Sequence, residues 1–385
     1  MKKLLFLAVC SALIQSNSFT KTIKIGMSAA FTGPAQALGN GVKEGIQTYF
    51  SKINANGGVN GNTLKLVALD DGYEPKKCAP NMRKLITKEN VFAVIGNVGT
   101  PTAIVAVPIA NELKTPFFGA FTGSGVLRKT PPDRYIFNYR ASYAEETAAM
   151  IKSLVNILKI KPEEIALFTQ NDGYGDAGYK GAMKALKSIG YKKGASLAHG
   201  RYQRNTVNIE DGLLTILDAE IEPKAIIMVG AYKPCAAFIK LAKENELTEV
   251  LFLNVSFVGS KALAKELGKN VSNVIVTQVV PHYESDLPII KEYKEDLKKF
   301  SKTEGGFVSL EGYLAAKAFV LGLEKSGKSP TKESFIDALE KMSSFDLGIG
   351  KSHYFSKKEH QISHEVWPTI LKSEAFQPLD WKSLK

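Results

Sequence analysis

Residues 92–119 read FAVIGNVGTPTAIVAVPIANELKTPFFG, and this stretch decides the fold. Residues 92–95 are a short apolar run of the kind that forms a strand buried on both faces. Glycines at 96 and 99 make the turn. Thr100-Pro101 then opens a helix, with Thr100 as N-cap and Pro101 in the first turn, where its missing N–H costs nothing. The helix is expected to run to about residue 113, and residues 115–119 to form the next strand. Strand, helix and strand at this spacing is the unit of a parallel sheet.

The same alternation extends both ways. Upstream, residues 22–27 read as a strand, 37–54 as a helix ended by Asn56-Gly57-Gly58, 64–69 as a strand, and 75–88 as a helix with Pro75 at its first position. Downstream the pattern starts again, with helices at 145–158, 174–189, 234–243 and 260–267 and strands at 165–169, 225–229, 250–254 and 274–280. Pro281 follows the last of these strands, which marks a crossing back to the first half. Helices near 287–300, 311–325 and 331–342 follow, then β-like patches such as 367–371. The class is α/β: two doubly wound parallel-sheet lobes joined by a three-segment hinge, with residues 19–140 and 281–345 in the first lobe and 141–280 and 346–385 in the second. In open α/β sheets solutes bind beyond the carboxyl ends of strands, where helix N-termini point. The loops to watch are therefore 96–102, 119–125, 171–175, 230–234 and 254–259.

The amino terminus reads as an export signal. Lys2 and Lys3 precede a short apolar run, 4–14, and Ser16-Asn17-Ser18 offers a small-x-small cleavage site. A lipid anchor on Cys10 would require Val9 where a small residue is wanted. Removing residues 1–18 leaves a chain long enough for two lobes, located in the periplasm and expected to be monomeric. The apolar fraction is 44% and the charged fraction 23%, as in globular proteins. The net charge of +12 falls by two with the loss of Lys2 and Lys3. It is spread along the chain and is mostly lysine, with six arginines. A nucleic-acid binder would cluster its charge and favour the arginine fork, so no nucleic-acid partner is expected. Cys78 and Cys235 fall in different lobes and are read as free, partly buried thiols.

Chemical motifs give little support for an enzyme. Residues 322–329 match a phosphate-binding loop literally, but they follow a helix where a strand is required, and Pro330 comes directly after. The helix-end reading, closed at Gly327, is preferred. There is no Gly-x-Ser-x-Gly elbow, no Cys-x-x-Cys and no His-Glu-x-x-His. His360 and His364 stand four apart in a segment that reads as a hairpin, and no metal site is assigned. Asp70-Asp71 is read as a strand-end turn. No catalytic residue and no cofactor are expected. Thr100 is different: at a helix N-terminus just after a strand, its hydroxyl and the first-turn N–H groups suit a carboxylate.

Taken together, Ile25-Gly26 with Phe31-Thr32-Gly33-Pro34, Ile53-Asn54-Ala55-Asn56-Gly57-Gly58-Val59-Asn60-Gly61, Asp70-Asp71 with Pro75, Val94-Ile95-Gly96, Gly173-Tyr174-Gly175 and Glu311-Gly312-Tyr313 resemble the leucine/isoleucine/valine-binding branch of the type I periplasmic binding proteins. The resemblance covers nearly the whole mature chain. It implies a solute-binding protein that delivers a small carboxylate-bearing ligand, an amino acid or a related metabolite, to an ABC permease in the inner membrane. A sensor subunit presenting the ligand to a receptor is the alternative, and an exported enzyme a more remote one. Carried over residue by residue, it implies that Thr100 and Thr122 hold the carboxylate with the Ala120 carbonyl, that Tyr174 and Tyr232 close from the second lobe, and that Leu38 is the bulky residue of the first loop. One position departs from the pattern. Where the family's amino-acid binders place an acid against the ligand's ammonium, this chain has Ser256. Either Glu311 serves instead, or the ligand is not an α-amino acid. Arg140, near the first crossing, either faces the cleft, which would suit a second carboxylate on the ligand, or forms a hinge salt bridge. The family's disulfide is absent, since the matching positions are Tyr73 and Gly99.

Overall fold

The computed structural model describes residues 21–191, 197–269 and 272–385; the export-signal reading of residues 1–18 lies outside them. The chain begins with β1 (Thr22–Ala29), α1 (Gln36–Ala55), β2 (Thr63–Asp70), α2 (Pro75–Arg83), β3 (Ala93–Ile95), α3 (Thr100–Glu112), β4 (Phe117–Phe118) and β5 (Ile136–Phe137). These five strands form one parallel sheet in the order β2-β1-β3-β4-β5. β1 sits inside the sheet and is buried along most of its length, whereas β2, at the edge, is mostly half-buried.

The chain then enters a second unit: α4 (Tyr143–Lys152), β6 (Ile165–Gln170), α5 (Gly173–Ser188), β7 (His199–Tyr202), α6 (Glu210–Leu217), β8 (Ala225–Val229), α7 (Tyr232–Glu244), β9 (Leu251–Asn254), α8 (Ser260–Leu267) and β10 (Val274–Gln278). β6, β8 and β10 are buried at every position, as befits apolar runs covered on both faces. α4 starts at a capping box: the Ser142 hydroxyl accepts from the Glu145 N–H, and the Glu145 carboxylate accepts from the Ser142 N–H.

After β10 come α9 (Pro288–Phe300), α10 (Phe307–Lys325) and α11 (Lys332–Lys341). α10 and α9 pack on α1, and α11 packs on α10, so the chain has returned to the first lobe. A small hairpin, β11 (Phe345–Asp346) with β12 (Ser352–His353), precedes the last pair, β13 (Trp367–Lys372) and β14 (Ala375–Pro378). These two join the second sheet as antiparallel strands, giving the order β14-β13-β10-β9-β8-β6-β7. The result is two α/β lobes with three chain passages between them. The first and third passages pair with each other: Asn138 N–H donates to the His360 carbonyl at 2.7 Å, and Ile362 N–H to the Asn138 carbonyl at 3.1 Å.

Three sequence expectations change. Thr100 is not the N-cap of α3; it is the first helical residue, and Gly99 occupies the cap. Gly99 adopts φ +98°, a conformation only glycine takes without strain, so the turn ends one residue earlier than the Thr-Pro signature indicates. The His360–His364 segment is not a hairpin. Its one tight turn is the bridge between Ser356 and Glu359, and the chain beyond runs along the hinge. The strand expected at 115–119 is only β4, because its neighbours β3 and β5 are themselves short. β5, β7, α6 and β14 were not announced by any sequence pattern. β7, His199-Gly-Arg-Tyr, is a strand because β6 offers it a ladder from Leu167 to Gln170.

The first and third passages also carry an ion pair. Glu145 Oε1 lies 2.6 Å from His364 Nδ1, while its other oxygen accepts from Gln361 Nε2 at 2.9 Å. Burial would raise the Glu145 carboxyl, but His364 and the Ser142 donors hold it down at about 2. The same pairing holds the His364 imidazole above its ordinary value, against burial. The raised histidine contributes below its ordinary 6.5 and loses that contribution as pH rises through its folded value. The depressed carboxyl contributes above its ordinary 4.5 and loses it as pH falls towards 2. His364→Ala is therefore expected to destabilise the chain most between pH 4.5 and 6.5, with a smaller gap at pH 8.5. Urea midpoints across that range check it, and a gap that is flat with pH would refute the pairing.

Candidate functional site

The loops at the carboxyl ends of the first lobe's strands come first. At the end of β3, a Cβ on Gly99 would lie 2.0 Å from the Tyr73 ring, so these two positions touch through an aromatic ring packed on bare backbone. Because Thr100 is not a cap, its hydroxyl is free to reach sideways. It lies 2.7 Å from the Thr122 hydroxyl on the loop after β4, and both residues are buried. The Ala120 carbonyl accepts from Thr122 N–H at 2.8 Å, and Thr122 Oγ1 accepts from Ser124 N–H at 3.3 Å. The first turn of α3 adds N–H groups that have no acceptor within the helix.

The second lobe faces these loops with aromatic rings. Asp172 caps α5 by accepting from Tyr174 N–H at 2.9 Å. Tyr174 is buried; its hydroxyl donates to the Gly230 carbonyl at 3.2 Å, and its ring lies 4.6 Å from that of Phe257 and 5.2 Å from that of Tyr143. Phe257 spans the lobes, 5.5 Å from Phe121 and 5.9 Å from Tyr73. Tyr232 and Leu38 form a second group: the Ala37 N–H points at the Tyr232 hydroxyl across 3.5 Å, and Leu38 lines a cavity of about 370 Å³ between α1, α8 and the start of α10. The lobes also touch through Arg204, which pairs with Glu74 at 2.8 Å and with Asp172 at 3.0 Å.

The centre of the site is charged. Arg140, on the first passage, is 0% exposed. Its Nε lies 3.1 Å from Glu311 Oε1 on α10, its Nη2 donates to the Ser256 hydroxyl, and its guanidinium lies 4.5 Å from the centre of the Phe121 ring. Its Nη1 is buried with no hydrogen-bond partner among the described residues. Ser256, in the short turn after β9, meets a second acid: its N–H and hydroxyl donate to Glu146 at 2.7 and 3.0 Å, and the Thr277 hydroxyl donates to the same carboxylate at 2.6 Å. Burial pushes the Glu311 carboxyl up to about 7, with Arg140 opposing. Burial also raises Glu146, against Arg140 and the three hydrogen bonds. Burial lowers Arg140, but Glu311 and Glu146 more than offset this. Behind the Thr122 loop, Arg128 donates to the Thr122 and Ser124 carbonyls at 3.2 and 2.9 Å. Burial and then Arg140 lower it to about 10.

The structure thus joins Thr100 to Thr122 and joins Arg140 to both Ser256 and Glu311. Arg140 lies buried between the lobes and forms an ion pair with Glu311. Sequence reasoning missed Glu146, Tyr143, Arg128 and Phe257. Only Glu146 had a local signal, as the second of two adjacent acids in the first turn of α4, beside the capping-box Glu145.

A family model described as "Periplasmic binding protein" matches residues 22–375. "Leu/Ile/Val-binding protein homolog 7" of Brucella suis is 26% identical over 342 residues, covering 84% of this chain and 82% of that protein. A solved structure described as a possible leucine/isoleucine/valine-binding protein from Rhodopirellula baltica is 46% identical, with a TM-score of 0.92, over 95% of this chain and 98% of that one. A branched-chain amino acid ABC transporter protein from Thermus thermophilus, solved with bound valine, shares the fold at a TM-score of 0.82 and 20% identity, over 94% and 96% of the two chains. With its two lobes meeting over a cleft built from strand-end loops, the chain belongs to the type I periplasmic binding proteins, in the Leu/Ile/Val-binding family of solute-binding proteins that serve ABC importers.

Proposed function

We propose that this chain, exported by residues 1–18 and acting as a monomer, captures a small carboxylate-bearing solute between its lobes and presents the closed form to an ABC permease. The observation that carries this reading is Arg140: a guanidinium wholly buried between the lobes, with Nη1 unpartnered, beside Phe121 of the first lobe and Ser256 of the second. A buried donor without an acceptor is costly, and a bound carboxylate removes that cost. The Thr100 and Thr122 hydroxyls and the first turn of α3 supply further donors on the same side. Closure about the three passages brings Phe257 and Tyr174 over the solute, the hinge motion of two-lobed binding proteins. The solute is held and released unchanged.

Native mass spectrometry of the purified chain, before and after unfolding and refolding, tests the reading. A bound acid lost on refolding supports it, and a bound base or sugar would replace it. Thr100→Ala is expected to weaken binding of that acid by about 10- to 100-fold, the loss of one charge-assisted hydrogen bond of about 1.5–3 kcal/mol. Calorimetry showing unchanged affinity would remove Thr100 from the site.

A further inference from the structure

The charges in the cleft narrow the solute further. Two acids stand near Arg140: Glu146 is saturated by hydrogen bonds from the protein, and Glu311 is held by Arg140 through charge, without an aligned hydrogen bond. Glu146 accepts from Ser256 N–H, the Ser256 hydroxyl and the Thr277 hydroxyl. Glu311 lies against Arg140 Nε at 3.1 Å. Ser256, between Arg140 and Glu146, offers no charge of its own, and its hydroxyl already accepts from Arg140 and donates to Glu146. What remains unpartnered is of the opposite kind. Arg140 Nη1 is a buried donor with no acceptor among the described residues. Arg128 adds a second positive charge behind the Thr122 loop.

An ammonium entering this space would meet a fixed guanidinium and acids already bound to the protein, whereas a carboxylate would meet open donors. Like charges at close range in a water-poor site repel strongly. We infer that the solute is an organic acid without an ammonium group, such as a 2-oxo, 2-hydroxy or unsubstituted carboxylic acid, and that Arg140 is the cleft's built-in cation. This rests on the carboxylate reading above and specifies its ligand class. Ser256 is then the specificity-determining position: a neutral residue there leaves Arg140, and not a ligand ammonium, as the partner of the neighbouring acids.

The test uses matched triplets on the full chain, stripped of ligand by unfolding and refolding. Each triplet shares a carbon skeleton: alanine, pyruvate and propionate; valine, 2-oxoisovalerate and isovalerate; phenylalanine, phenylpyruvate and 3-phenylpropionate. Isobutyramide and valinamide serve as carboxylate-free controls. Thermal shift finds the skeleton that fits, and calorimetry gives affinities within its triplet. The expected result is that an acid lacking the ammonium binds at least tenfold more tightly than its amino acid. An amino acid that binds as tightly as its partners, or more so, overturns this inference and leaves the carboxylate reading standing. If no carboxylate of any triplet stabilises the chain, or the amides do so equally, the carboxylate reading itself falls, and this inference with it.

Discussion

Arg140→Gln is expected to abolish solute binding and to destabilise the chain by about 3–5 kcal/mol, the usual consequence of removing one partner of a buried ion pair. The guanidinium touches both lobes' contributions at once: Glu311 from α10, Ser256 from the turn after β9, and the Phe121 ring. Without it, Glu311 and Glu146 are buried acids with no counter-charge, and their carboxyls, already raised, go higher. The sign of the pH dependence follows. An acid whose folded value lies above its ordinary 4.5 binds more protons in the folded state between those two values, so stability falls as pH rises through that window. The gap between wild type and Arg140→Gln should therefore be wide at pH 8.5 and narrow towards pH 5. Urea unfolding followed by circular dichroism measures it, with calorimetry for binding. Arg140→Lys keeps the charge without the planar fork, and is expected to recover most of the stability and only part of the affinity. A gap that does not change with pH would mean that the two acids are not held by Arg140.

Gly45→Ala carries the second large effect. α1 and α10 cross with backbone against backbone at this point: an ideal Cβ on Gly45 would lie 1.8 Å from the Ser309 carbonyl oxygen and 2.6 Å from Tyr313 N. Gly312 mirrors it, with a Cβ that would lie 2.3 Å from the Val42 carbonyl oxygen. No side-chain rotation relieves a clash with two helix backbones, so the helices must part. The cost is placed at about 3 kcal/mol, the upper end of overpacking. Gly125→Ala, where nothing lies within 4 Å, is the control and should change stability by no more than about 0.5 kcal/mol. Because α10 carries Glu311 one residue before Gly312, parting the helices also moves the acid that pairs with Arg140. Affinity should fall along with the melting temperature. Scanning calorimetry with and without the bound acid distinguishes the two effects. A variant that melts like wild type would show that the helices do not meet as closely as described.

Strand and helix periodicity was legible because each element must bury its own face, and that requirement is local. The runs at 165–169, 225–229 and 274–280 are almost entirely apolar or β-branched because both faces of the sheet are covered, and they appear as β6, β8 and β10. The strand-end loops followed from that alternation, and Thr100 with them, since a parallel sheet puts such loops on one edge; Thr122 followed only from the resemblance to the family. Within those loops the sequence misjudged detail: the Thr-Pro signature gave a cap at Thr100, whereas Gly99, with its positive φ, ends the turn and frees the hydroxyl.

Which charges neutralise one another was decided only by the tertiary structure. Ser256 and Glu146 are 110 residues apart, Thr277 and Glu146 are 131 apart, and Arg140 meets Glu311 only after the chain has crossed to the second lobe and returned. Periodicity reports whether a position faces the interior; it carries no information about which distant group meets it there. A buried charge is tolerated only with a partner, and that partner is fixed by how the passages bring α4, β9, β10 and α10 to one point. The sequence by itself therefore determined two lobes and, through the resemblance its motifs carry, a solute-binding role, while the fold alone decided that Arg140 meets Glu311 and Ser256 between those lobes.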